Sequence, residues 1–199
     1  MKIDLHVHTR DRSPCGQATE DEMIQTAIAR GLDAIALTDH DRLVPPGRLA
    51  ILNAKYAPFR VFGGIEVSLG RDHALVLGIQ DSFLEEATWS YRKLHEFVDI
   101  WGGFVALAHP FRFYRQMSNG ILDLPPHAME VHSHNTPSRA ESRIRKLAER
   151  WEIPLLANSD AHRVSELGAY YNELDGEPEV EAELVRMLRA GEFRLVSRG

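Results

Sequence analysis

Histidine and carboxylate residues recur in short clusters at the ends of apolar runs along this chain: Asp4-Leu5-His6-Val7-His8, Thr38-Asp39-His40, Gly64-Ile65-Glu66 and Ser159-Asp160-Ala161-His162. Each follows or sits within a β-branched or leucine-rich stretch that reads as a strand. Residues so far apart in sequence meet in one place when many strand ends converge. An α/β barrel arranges its strands in that way at its C-terminal mouth, so a barrel is expected in preference to an open sheet.

The segments between the clusters agree with this. Residues 2–7 read as a strand. Thr19 and Glu22 form a capping box, Met23, Ile24, Ala27 and Ile28 supply a helical stripe, and Gly31 suits the helix end. Residues 34–38 are a continuous apolar run of the buried parallel-strand type. Residues 61–69 and 74–79 read as strands on either side of a turn at Gly70-Arg71-Asp72. One helix is predicted over 84–101, with Leu94, Phe97, Val98 and Trp101 at helical spacing. Strands follow at 104–108 and 128–131, a charged helix at 138–151, a strand at 153–157, a helix at 180–190 and a strand at 193–196. Trp89, Tyr91, Trp101, Tyr170 and Tyr171 are assigned to the core in preference to an interface. This alternation predicts a parallel α/β sheet closed into a barrel, with residues 1–199 as one domain.

Composition works by exclusion. The net charge of −6 contains no long basic run, which argues against a stable nucleic-acid partner and leaves nucleotide substrates open. A single cysteine forms no internal disulfide and fits a reducing compartment. No apolar run is long enough to span a bilayer, and no signal pattern stands at the N-terminus. A cytoplasmic location away from membranes is expected.

His6 and His8 stand two apart on a strand and share a face, and Asp4 shares it as a group that can orient them. A lone His-x-His pair is a weak signal. Asp39 beside His40 either orients that ring or caps the segment after it. Glu66 is a sharper signal. A carboxylate within Phe62-Gly63-Gly64-Ile65-Glu66-Val67 faces a costly burial unless it is paired, protonated or bound to a cation. His73 opens one strand and His109 closes another, and each taken singly reads as structural. Asp160 and His162 repeat the spacing of the first pair. Imidazoles and carboxylates jointly placed at strand ends predict a centre for zinc, manganese or iron, and with it a multi-metal hydrolase.

As a set these segments resemble the polymerase and histidinol phosphatase (PHP) superfamily. Asp4-Leu5-His6-Val7-His8-Thr9, Leu37-Thr38-Asp39-His40, Gly64-Ile65-Glu66, Ala108-His109-Pro110 and Ser159-Asp160-Ala161-His162 match its motifs in the family's order. The resemblance implies a distorted (β/α)7 TIM-like barrel holding two or three divalent ions. It implies that His6, His8, Glu66 and Asp160 hold one ion, and Glu66, His73 and His109 a second, with Glu66 bridging. It implies a third at His40 and His162, completed from the loop after His8. In that loop family members often carry His or Asp before a glycine, whereas Cys15 precedes Gly16 here. Thiolate suits zinc or iron, and Asp11 is its rival.

Two close divalent ions acidify a shared water and stabilise attacking and leaving oxygens. That chemistry suits hydrolysis of a phosphomonoester or phosphodiester of a small molecule or nucleotide. Glu66, Asp160 and His134 are the expected catalytic groups, His134 as a proton donor to the leaving group. Arg10, Arg112, Arg163 and His132 are candidates to meet the substrate phosphate, with surface salt-bridging as the bland role for the arginines. His95 and His127 are assigned structural roles. Two alternatives stand beside this reading. One is hydrolysis of a carbon–nitrogen bond, which a strand-end lysine would favour and none supplies. The other is a metal-stabilised barrel that only binds.

Overall fold

The computed structural model describes residues 1–118 and 120–197. The apolar runs become β1 (Lys2–Val7), β2 (Ala34–Leu37), β3 (Arg60–Ser68), β4 (His73–Leu77), β5 (Phe104–Ala108), β6 (Ala128–His132) and β7 (Leu155–Ala157), followed by β8 (Tyr170–Leu174) and β9 (Phe193–Ser197). They form one sheet in the order β7-β6-β5-β4-β3-β2-β1-β8-β9. The helices are α1 (Glu20–Ala29), α2 (Pro46–Tyr56), the short α3 (Phe83–Glu86), α4 (Tyr91–Ile100), α5 (Glu141–Trp151) and α6 (Glu181–Ala190). Among the described residues, no helix is long and apolar enough to cross a membrane.

The sheet curls until its β7 edge returns to β1. At the upper end backbone closes the seam: His8 N–H donates to the Ala161 carbonyl at 2.9 Å, and Ala161 N–H to that of His6 at 3.3 Å. Lower down a side chain does so. Asn172 of β8 accepts from Ala157 N–H at 3.1 Å and donates to the Ala157 carbonyl at 2.9 Å and to Asn158 Oδ1 at 2.8 Å. The outcome is a nearly closed, distorted barrel. Ala36, Phe62, Leu75, Phe104 and Ala106 fill its interior above Leu184 and Leu188 of α6, which floor it. Helices α1 and α2 pack outside on Ile35 and Leu37, and α4 and α5 on Leu107 and Met129. Burying each large side chain contributes about 1.5–3 kcal/mol, so the apolar layers hold the polar mouth in place.

The sheet is not wholly parallel, which corrects the expectation. β4 runs antiparallel to both β3 and β5, as β8 does to β1 and β9. Ser68 pairs with His73 across a tight turn, which leaves no length for a crossover helix. β4 therefore presents its first residue at the rim where its neighbours present their last. Three further differences are local. Residues 84–101 divide into α3 and α4, because Ser90 has extended backbone (φ −91°, ψ 153°) and starts a new helix. Trp101 is 58% exposed rather than in the core. Finally, α2 and β8 lie where the sequence pattern predicted no element; in α2, Pro46 occupies the first turn, where its missing N–H is harmless.

Candidate metal centre

Glu66 ends the inward-facing row of β3 and is fully buried. Its Oε1 meets His73 Nδ1 at 2.8 Å and His109 Nε2 at 2.9 Å. Its Oε2 meets His6 Nε2 at 3.2 Å, His8 Nε2 at 3.1 Å and His40 Nδ1 at 3.1 Å. Asp160 approaches from the other side, with Oδ1 at 3.1 Å from His8 Nε2 and 3.3 Å from His6 Nε2. Backbone makes these approaches possible. His109 (φ 26°) and Asp160 (φ 51°) both hold left-handed conformations, which cost roughly 1–2 kcal/mol each and turn a strand-end side chain back into the mouth.

The loop after β1 is clamped at both ends. Asp39 accepts from Thr9 N–H at 2.6 Å and from Arg12 Nε at 2.9 Å, while Ser13 Oγ accepts from His40 N–H at 2.8 Å. Gln17 N–H donates to the His162 carbonyl at 2.8 Å. A Cβ on Gly16 would lie 2.4 Å from the Thr9 carbonyl carbon, so this return needs glycine. The loop brings Cys15 beside His8, His40 and His162, with one donor atom from each within 4.8 Å of the others. Asp11, the rival, points to α1 instead, where its carboxylate accepts from Glu20 N–H at 2.8 Å.

Three groups thus overlap: His6, Glu66, His109 and Asp160; His40, Glu66 and His73; and His8, Cys15, His40 and His162. All nine candidate ligands fall in them, with three adjustments to the expected division, the first being that His109 groups with His6 and Asp160 rather than with His73. His40 faces Glu66 as well as Cys15, and His8 stands between the Glu66–Asp160 pair and the cysteine group.

The donor set fits cations. Glu66 Oε2 is buried and has no hydrogen-bond partner of good geometry despite three imidazole nitrogens around it, and His8 Nδ1 is likewise unpartnered. Buried donor atoms left unpaired are available to cations, and donors grouped within 4.8 Å of one another allow bonds of roughly 2.0–2.3 Å. Nitrogen, oxygen and one sulfur are the ligands of zinc, iron and manganese. The charged side chains also set one another's protonation. Burial alone lowers the His6 and His8 pKa values, but Asp160 and Glu66 overturn this, holding His6 well above the ordinary imidazole range and His8 at about 9. Burial raises Glu66 and Asp160, and the surrounding histidines more than reverse it, keeping both ionised. Burial dominates at His40, pulled down to about 4, and lowers His162.

The remaining candidates are placed less centrally. Arg112 reaches the centre, its Nη1 3.6 Å from Asp160 Oδ2, whereas Arg10 and Arg163 lie exposed on the surface. His132 meets Arg145 at 3.1 Å and stacks on Tyr170, and His134 Nε2 donates to the Glu166 carbonyl at 2.9 Å. Asp4 corrects an expectation. The β1 register slips between Asp4 and Val7, so Asp4 leaves the face of His6 and His8 and accepts instead from the backbones of His6 at 3.1 Å and Ser159 at 3.0 Å. Burial pushes its carboxyl up to about 7. The group that meets the His6 ring is Glu130, at 3.1 Å from Nδ1, and Asn135 donates to Asp160 Oδ2 at 2.8 Å. Neither was expected. Glu130 carries a readable signal, a carboxylate inside the apolar run of β6; Asn135 carries none.

The PHP domain profile matches residues 4–118, and a PHP-associated profile matches residues 139–193. No curated protein matches the chain significantly. Three similar solved structures are PsfC from Pseudomonas syringae, a protein described as a metal-dependent phosphoesterase from Bifidobacterium adolescentis, and one described as an amidohydrolase from Chromobacterium violaceum with bound sulfate and no metal. PsfC is 19% identical, with 94% of this chain and 87% of that one covered at a TM-score of 0.70. The corresponding values are 17%, 94%, 95% and 0.68 for the second, and 19%, 100%, 99% and 0.67 for the third. The likeness to these structures extends to the fold, and the profile match takes in more than half of the chain: it belongs to the PHP domain family.

Proposed function

We propose that the chain is a metal-dependent phosphoesterase that hydrolyses a phosphomonoester or phosphodiester of a small molecule or nucleotide. One observation carries this: the two oxygens of Glu66 divide the imidazoles between them, Oε2 toward His6, His8 and His40 and Oε1 toward His73 and His109. Zinc, manganese or iron held there would supply an acidified water and neutralise charge on the phosphate. Glu66 keeps the two sets of donors in register. Asp160, kept ionised by His6 and His8 and contacted by Asn135 and Arg112, orients the attacking water by accepting its hydrogen bond. Arg112 lines the mouth with a guanidinium that suits phosphate oxygens. His134, engaged with the Glu166 carbonyl, is assigned no step.

The test is elemental mass spectrometry on protein purified without chelator, followed by a panel of phosphoesters and amides after reconstitution. Two or three equivalents per chain and hydrolysis confined to phosphoesters are expected. Glu66→Gln, with an unchanged circular dichroism spectrum, should weaken metal binding by at least about 100-fold and abolish turnover. A folded wild type that takes up none of the three metals ends the proposal.

A further inference from the structure

The loop after β5 is pinned at both ends. Phe111 is buried beneath the Arg143 guanidinium, which lies 4.1 Å from its ring, and its φ of 65° turns the chain outward. Met117 is buried, and Ser118 N–H donates to Asp72 Oδ2 at 2.6 Å, tying the loop to the β3–β4 turn. Between these anchors Phe113 and Tyr114 stand 54% and 52% exposed. Isolated exposed apolar residues are ordinary, but Phe113 adjoins the candidate metal centre. The Phe113 ring lies 5.8 Å from that of His73 and 6.3 Å from that of His109. Each is paired with an arginine: Arg112 sits 4.8 Å from the Phe113 ring and Arg71 5.3 Å from that of Tyr114. Arg112 also reaches the centre itself, 3.6 Å from Asp160 Oδ2.

We propose that this rim is a subsite for a flat aromatic or heteroaromatic ring on the substrate, with Phe113 as the residue that selects for it. The inference rests on the phosphoesterase reading and narrows its substrate class to phosphoesters of ring-bearing alcohols, nucleotides among them. An organic group on the His73–His109 side of the centre would lie next to the Phe113 ring. The Arg112 guanidinium lies over the Phe113 ring, and the exposed surface that this pair leaves is flat and suits stacking of a planar ring, whereas an alkyl chain gains little specificity from it. Arg71, beside Tyr114, adds positive charge for a second anionic group.

The test compares two pairs of phosphoesters that differ by the ring: adenosine 5′-monophosphate with ribose 5-phosphate, and phenyl phosphate with methyl phosphate. Dissociation constants are measured by calorimetry on metal-free and metal-reconstituted protein, and kcat/KM on the latter, for wild type, Phe113→Ala and Phe113→Trp. In the wild type the ring-bearing member of at least one pair should be preferred by about 5- to 150-fold, the range of base–aromatic stacking. The ratio should collapse toward unity in Phe113→Ala and return in Phe113→Trp. Equal binding within both pairs, or a ratio that Phe113→Ala leaves unchanged, overturns the subsite. Ring preference in binding with no hydrolysis would sink the phosphoesterase reading alone, and hydrolysis without ring preference would sink the subsite alone.

Discussion

Glu130 shows how one carboxylate supports another residue's chemistry. Fully buried, it meets His6 Nδ1 at 3.1 Å and accepts from His109 N–H at 2.8 Å and Asn158 Nδ2 at 2.9 Å. It therefore holds the His6 ring with Nε2 facing the centre. Outer carboxylates of this kind typically govern metal affinity by 10- to 100-fold. Glu130→Gln places an amide where two donors converge, and we expect a loss of that order in chelator competition with the fold retained; unchanged affinity would refute the role. The reasoning that singled out Glu66 applies equally to Ala128-Met129-Glu130-Val131, so Glu130 was legible in the sequence. Asp4 was legible as a polar residue in a strand, but not its direction. Strict alternation places it with His6 and His8, and a one-residue slip in β1 turns it away.

Where α4 meets β6, a histidine away from the centre sets a pH dependence. Backbone N–H groups only donate, so the 3.0 Å contact from Val105 N–H makes His127 Nδ1 an acceptor, and Nε2–H then donates to Asp99 at 3.0 Å. Burial, with Arg189 adding repulsion, lowers the ring to about 4 from an ordinary 6.5. The fold thus favours the neutral ring. Its contribution is fully present above pH 6.5 and is lost as pH falls toward 4, by about 1–2 kcal/mol once partial exposure is allowed for. Urea midpoints between pH 7 and pH 4 should fall less steeply in His127→Gln than in wild type; parallel slopes would contradict the assignment. Helix α1 was fully legible, since Thr19 and Glu22 form the expected reciprocal cap. The hairpin β3–β4 was legible as two strands and a turn, and its consequence was not: reversal brings His73 to the same rim as Glu66.

Barrel closure depends on one side chain where backbone pairing fails. Asn172 is buried on β8 and bonds both polar groups of Ala157 together with Asn158, whose amide continues to Glu130. Asn172→Leu strands a buried N–H and carbonyl, so a loss of about 2–4 kcal/mol is expected in urea unfolding. Metal affinity should fall with it, because the network ends on His6; full stability in the variant would show that the seam is closed by other means. The donor residues, their order and their positions at strand ends could be read directly from the chain, because strand periodicity and the chemistry of a buried carboxylate are local properties. The direction of β4, the turn of Asp4, the division of the loop between Cys15 at the centre and Asp11 at α1, and the exposure of Phe113 at the rim could not. Each is set by contacts between residues distant in sequence, and packing rather than local pattern settles which of several locally acceptable arrangements is adopted.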